Sequence, residues 1–183
     1  MHRVVTSRRQ ERSVRLAVFF SFLYAPLAIL AAAPTNAIAA VELTTCGQVL
    51  TQSGYLTADL DCSGHPDDAV TIENGEKLDL RGFTLTGGDK SAIYCSTGCA
   101  VVSTVEAPGM VRGAARYGIF SDTGRVSVTN LIVEGNGDDG ISSGDYSSGS
   151  LVATDITTRA NGGRGMYAGK SLAAKRVRAF DNA

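Results

Sequence analysis

The sequence predicts an all-β chain wound as a parallel β-helix, a solenoid of about five coils. Three observations carry that expectation. A degenerate repeat of 21 to 26 residues runs from about Val70 to Ala183, apolar residues recur at equivalent positions of successive repeats, and short segments alternate apolar with polar. Leu85, Val111, Val133, Thr158 and Ala179 form one column, at steps of 26, 22, 25 and 21 residues. Ile93, Ile119, Ile141 and Met166 form a second. Leu80, Val128, Ala153 and Ala174 form a third, and three residues after each come Phe83, Leu131, Ile156 and Val177. Lys77-Leu78-Asp79-Leu80 and Arg125-Val126-Ser127-Val128 alternate with the period of a strand that buries one face. Strands of this kind, joined by corners and closing after each repeat, stack coil on coil at about 4.8 Å, so that like positions lie over like.

The first element in chain order is not part of the stack. Arg3, Arg8, Arg9, Arg12 and Arg15 stand against the single acid Glu11, and a mainly apolar run follows from Leu16 to Ala33. With Ala37 and Ala39 as small residues at the expected spacing, residues 1–39 read as a secretory signal cleaved before Ala40. The 18-residue run is close to the transmembrane minimum, so an uncleaved anchor is the alternative, but Pro26 and the small-residue tail favour cleavage. Arg8-Arg9 is followed by Glu11 and Arg12 rather than apolar residues, and reads as ordinary charge ahead of the apolar run rather than a twin-arginine signal. The expected location is periplasmic or extracellular, without membrane attachment after cleavage.

Loss of residues 1–39 takes five basic residues and one acid from totals of 17 and 18, leaving 12 and 17 and a net charge of about −5. That balance gives no support to nucleic-acid binding, which needs a basic face. It would also repel polyanions unless cations or local arginines intervene.

Residues 40–69 read as an N-terminal capping segment, followed by the β-helix proper over 70–183. Four cysteines in an exported chain fit two disulfides, and proximity in sequence favours Cys46 with Cys62 and Cys95 with Cys99. The first would tie down the opening coil. The second needs a turn at Ser96-Thr97-Gly98, because an extended five-residue segment would hold its ends about 13 Å apart, beyond disulfide reach. Metal binding by the four cysteines is the weaker alternative, since His2 leaves with the signal and only His65 remains to help.

A further column, Asn136, Asn161 and Asn182, ends successive coils beside glycine or aspartate. Asparagine tolerates the left-handed backbone of a tight corner, and its amide can bond the amide of the coil above, so the column reads as an asparagine ladder. The corner segments are Asn136-Gly137-Asp138-Asp139-Gly140-Ile141 and Asn161-Gly162-Gly163-Arg164-Gly165-Met166, with Ala92-Ile93 and Gly118-Ile119 keeping the second half of the pattern. Together with the segment Thr45–Gly64 and the coil Val70–Gly88, these residues resemble the right-handed parallel β-helix proteins of the pectate-lyase-like superfamily, bacterial and exported. The resemblance covers about Thr44 to Ala183. It implies a right-handed coil, and a superfamily of polysaccharide lyases, hydrolases, epimerases and proteins without known catalysis, so the fold does not settle the chemistry.

Candidate sites lie on outward positions, because the apolar columns fill the interior. Glu134 with Arg159, and Asp155 with Arg176, are expected as exposed ion pairs between successive coils. Asp138 and Asp139 on the acidic corner, with Asp145 beyond, could hold calcium; Asp138 and Asp139 could also act as paired acids in glycoside hydrolysis. The same Gly-Asp-Asp-Gly run is also good turn chemistry. The lyase resemblance implies calcium on a substrate uronate and a basic side chain as proton acceptor, for which Arg112, Arg159, Arg164 and Lys170 are available, none of them marked out by a motif; Arg164 joins Asp138 and Asp139 as a candidate catalytic residue. Tyr94, Phe120 and Tyr167 share one outward column interrupted by Ser142, and could line up for sugar stacking or serve strand packing alone. The expected function is a secreted β-helix that presents an extended carbohydrate-binding surface to a polysaccharide or cell-surface glycan. A polysaccharide lyase or glycoside hydrolase is the enzyme alternative, and a structural or adhesive surface protein is the third. The stack ends at the ladder position with no capping segment after it, which implies truncation of a longer protein.

Overall fold

The apolar columns fold as the alternation dictates, into two parallel sheets that wind around one core. In the computed structural model, which describes residues 39–145 and 147–183, six short strands stack in the order Met166–Ala168, Ile141–Ser143, Ile119–Ser121, Ile93–Cys95, Val70–Ile72 and Gln48–Leu50. Every pairing between them is parallel, with Val70, Ile93, Ile119, Ile141 and Met166 in register. The second sheet is L-shaped. Its long strands Arg125–Glu134, Ser150–Arg159 and Ser171–Phe180 each supply both arms, whereas earlier coils build the arms from separate strands such as Gly98–Val102 and Gly109–Arg112. The protein is thus a parallel β-solenoid without helices among the described residues. The expected signal segment lies, apart from Ala39, outside those residues.

The solenoid has six turns rather than about five, because residues 40–69 do more than cover an end. Gln48–Leu50 pairs with Val70–Ile72 in the short-strand sheet, while Val41–Glu42, Gly54–Tyr55 and Leu60–Asp61 extend the other. Leu43, Leu50 and Leu56 are buried there as deeply as the later columns. Fully burying such a side chain contributes about 1.5–3 kcal/mol, so the first turn belongs to the same core.

Three of the expected columns match the observed pairing, and one needs correcting. Leu85, Val111, Val133, Thr158 and Ala179 pair in sequence, as do the residues that follow Phe83. In the remaining column the equivalent of Val128 is Leu78, through Val101, and not Leu80. The physical reason is a corner of variable length. Later coils bend the long strand at one residue of positive φ, Asn130, Asp155 and Arg176, whereas the coil Gly98–Arg112 inserts a loop over residues 103–108 at that place. The Asn130 side-chain amide donates to Val105 O at 2.9 Å, and Ser103 Oγ donates to Ala107 O at 2.8 Å while accepting from Gly82 N at 2.9 Å. The coil of Leu78 has its own longer corner, with positive φ at Arg81 and Gly82, so counting back three residues from Phe83 lands on Leu80 instead of Leu78.

Both disulfides form as paired in the sequence, Cys46 with Cys62 and Cys95 with Cys99, with Cα atoms 5.5 and 5.6 Å apart. Cys95 and Cys99 are buried at the corner between the two sheets. Two such bonds fit an oxidising compartment.

The asparagine ladder is present and continuous. Asn136 Nδ2 donates to Asn161 Oδ1 at 2.9 Å, Asn161 Nδ2 donates to Asn182 Oδ1 at 2.8 Å, and Ala114 N donates to Asn136 Oδ1 at 3.1 Å. The asparagines do not themselves take the left-handed backbone. That conformation falls one residue earlier, on Gly135, Ala160 and Asp181, with φ of 62, 53 and 53°. The bend at the preceding residue turns each amide inward, where Asn136 and Asn161 are buried and bond the next coil.

Candidate functional site

The outer face of the short-strand sheet carries the column Thr71, Tyr94, Phe120, Ser142 and Tyr167, one residue per turn in paired register. Each stands between two inward residues, apolar except for the buried Ser121 and Ser143, as alternation requires. Tyr94 and Phe120 lie with ring centroids 6.0 Å apart, and Tyr117 from the preceding corner stacks on Phe120 at 4.5 Å with only 15° between the planes. Arg116 reaches over the outer ring, its guanidinium 4.8 Å from the Tyr117 centroid. At the next turn the aromatic column breaks. Ser142 is short where its neighbours are rings, and a cleft of about 390 Å³ opens between Phe120 with Tyr117 on one side and Tyr167 on the other.

Carboxylates stand at this cleft. Tyr94 Oη donates to Asp122 Oδ2 at 2.8 Å, which aims Asp122 along the face, and that bond holds the Tyr94 hydroxyl above its ordinary pKa. Asp145 Oδ1 accepts from the backbone N–H groups of Ser147 and Ser148, each at 3.1 Å, and from the Ser148 hydroxyl at 2.9 Å. The Ser147 N–H, followed by the Ser148 hydroxyl, keeps the Asp145 carboxyl below the usual carboxylate range.

The acidic corner behaves differently. Asp139 is buried and its carboxylate is bidentate to Arg164, with Nη2 to Oδ2 at 2.8 Å and Nε to Oδ1 at 3.1 Å, while Arg164 N donates to Oδ1 at 2.8 Å. Glycine at 163 permits this, since a Cβ there would sit 2.7 Å from both Asp138 Oδ1 and Asp139 Oδ1. Arg164 in turn lies 3.8 Å over the Tyr167 ring, so the corner pair orients one wall of the cleft. Asp138 shares the corner and bonds through its backbone, its N–H donating to Arg116 O at 2.8 Å.

Of the residues singled out in the sequence, the structure therefore joins Asp139 to Arg164 and places Arg164 and Asp145 at one cleft. Among the described residues, no three His, Cys, Asp or Glu side chains gather closely enough to hold a metal ion, Asp138, Asp139 and Asp145 included. The expected ion pairs form: Arg159 Nε meets Glu134 Oε2 at 2.5 Å, and Arg176 is bidentate to Asp155, with Nη2 to Oδ2 at 2.6 Å. Both lie on the opposite sheet. Arg112 and Arg159 flank a second groove there, around Glu134, and Lys170 lies at the last corner. Sequence reasoning missed Tyr117 and Asp122. The signal available for them was their spacing from Phe120, three residues before and two after, which places both at corners beside the aromatic column.

No family model matches the chain, and no curated protein or solved structure matches it either.

Proposed function

We propose that this chain is an exported carbohydrate-binding β-solenoid that holds a sugar ring in the cleft above Ser142. The observation that carries the reading is the break in the aromatic column: two aromatic walls face one another across a serine, one coil spacing to either side. Aromatic faces offer large, rigid contact area at small entropic cost, and carboxylates at the edge accept hydrogen bonds from sugar hydroxyls. The resemblance to pectate-lyase-like proteins and the two disulfides are consistent with an exported glycan binder. Hydrolysis by the Asp138 and Asp139 pair is disfavoured, because Asp139, its buried member, spends both oxygens on Arg164. A glycosidase needs two carboxyl groups flanking the scissile bond and open to it.

The test is titration of glycans, first on an array and then by calorimetry, against the full chain and three variants. Phe120→Ala and Tyr167→Ala remove one wall each and should weaken binding at least about tenfold, the loss expected from a stacking anchor at the centre of a site. Ser142→Tyr continues the aromatic column into the cleft and should abolish binding, with the melting temperature read alongside because Ser142 is only 4% exposed. Binding that survives all three variants would place the ligand elsewhere.

A further inference from the structure

The charges around the cleft are unevenly committed. Arg164 is the cationic side chain that lines it, and its guanidinium is bidentate to the buried Asp139. Arg116 lies over the Tyr117 ring and donates from Nη2 to Tyr117 Oη at 3.2 Å, outside the lining. Among the described residues, no cation is bonded to Asp122 or Asp145, which line the cleft: Asp122 accepts from a tyrosine hydroxyl, and Asp145 from serine groups of its own loop. The cleft thus combines aromatic walls with two carboxylates that no cation among the described residues pairs with.

Resting on the carbohydrate-binding reading, we infer that the cleft selects uncharged sugars and rejects uronates and sulfated sugars. A neutral ring can stack on Phe120 or Tyr167 and donate its hydroxyls to Asp122 and Asp145. A uronate seated in the same place brings a third carboxylate against two, while Arg164, the cation among the described lining residues, is already paired with Asp139, and repulsion of this kind is a common source of specificity. The device is the reverse of a calcium or arginine clamp. Specificity arises from what the cleft withholds.

The experiment is an array that presents neutral glycans alongside uronic and sulfated ones of matching backbone. It is followed by affinity measurements on an oligouronide and its carboxyl-reduced counterpart at low and high salt. Neutral glycans should dominate the hits, and the reduced oligosaccharide should bind at least about tenfold more tightly than the acid form at low ionic strength, the ratio narrowing as salt screens the repulsion. In Asp122→Asn with Asp145→Asn, which keeps acceptor oxygens in place, the ratio should fall towards one. Preferential binding of the anionic glycans overturns the inference while leaving carbohydrate binding intact. So does a ratio that persists in the double variant while its melting temperature is unchanged. Absence of any glycan hit overturns the carbohydrate reading itself, and this inference with it.

Discussion

Replacing Asn161 by alanine tests whether the ladder holds the stack together or only decorates its corner. Asn161 Oδ1 accepts from Asn136 N at 3.2 Å and from Asn136 Nδ2 at 2.9 Å, and its Nδ2 donates to Val133 O at 3.2 Å and Asn182 Oδ1 at 2.8 Å. Alanine removes all four bonds. Three of the groups left behind, the two Asn136 donors and Val133 O, belong to residues at most 2% exposed, where water has little access. An orphaned buried group costs about 1–3 kcal/mol, so taking about 1 for each, plus a small cavity, gives a loss of about 3–4 kcal/mol. With a urea slope of about 2 kcal/mol per molar, the unfolding midpoint should fall by about 1.5–2 M.

Asn182 supplies the control, because it makes as many bonds from a less buried place. Its Oδ1 accepts from Asn161 N at 3.3 Å and from Asn161 Nδ2, and its Nδ2 donates to Thr158 O at 3.2 Å and Phe180 O at 3.1 Å. Water can replace much of this at the exposed last coil, so Asn182→Ala should cost about 1 kcal/mol. Urea unfolding followed by circular dichroism reads both variants. Equal losses, or an Asn161→Ala loss below about 1 kcal/mol, would refute the reasoning, since burial rather than bond count is what distinguishes the two sites.

Three further outcomes follow from the same physics. Thr158 Oγ1 is buried without a hydrogen-bond partner in a column that carries valine at the two preceding turns, so Thr158→Val should raise stability by about 1 kcal/mol, and an unchanged or lower urea midpoint would count against it. Removing Cys46–Cys62, which spans 16 residues, should cost about 3 kcal/mol in the chain-entropy description, against about 2 for Cys95–Cys99, which spans 4; paired Cys→Ser variants compared in urea would expose a reversed order. The hydrogen bond from Arg176 holds Asp155 below its ordinary pKa, so its contribution to stability is present above about pH 4 and is lost as pH falls through the folded-state value. An NMR titration should give Asp155 a midpoint below about 3.9 that returns towards it in Arg176→Gln, and a midpoint unmoved by that substitution would remove the assigned cause.

The solenoid was legible because stacking makes sequence period and spatial register the same thing. Val133, Thr158 and Ala179 pair in space as they align in sequence, and the two cysteine pairs join where short separation places them. What stayed hidden depends on corners, where length varies without disturbing the core. The corner from Leu78 to Phe83, with positive φ at Arg81 and Gly82, is longer than the one from Val128 to Leu131, so Leu80 looks equivalent to Val128 when it is not. The left-handed residue precedes each ladder asparagine because the amide must point inward, a requirement composition does not reveal. The Asp139–Arg164 pair joins residues 25 apart that the sequence shows only as two separate corner motifs.

The cleft explains why a regular repeat and a binding site can share one chain. A column of identical rings would stack into a ridge, and a column of small residues would leave a flat face. Neither encloses a ligand. One short residue between tall ones does, and its cost is small because the outward face contributes little to the core, whose inward neighbour Ile141 remains fully buried beneath Ser142. Arg164, anchored by the buried Asp139, lies across the face of Tyr167 and so helps to fix that wall of the cleft. The acidic corner and the aromatic column are in this sense one device. Asp139→Asn should weaken the hold on Arg164 and, through Tyr167, lower glycan affinity more than it lowers stability. If affinity and melting temperature fell in proportion, the corner would serve the fold alone.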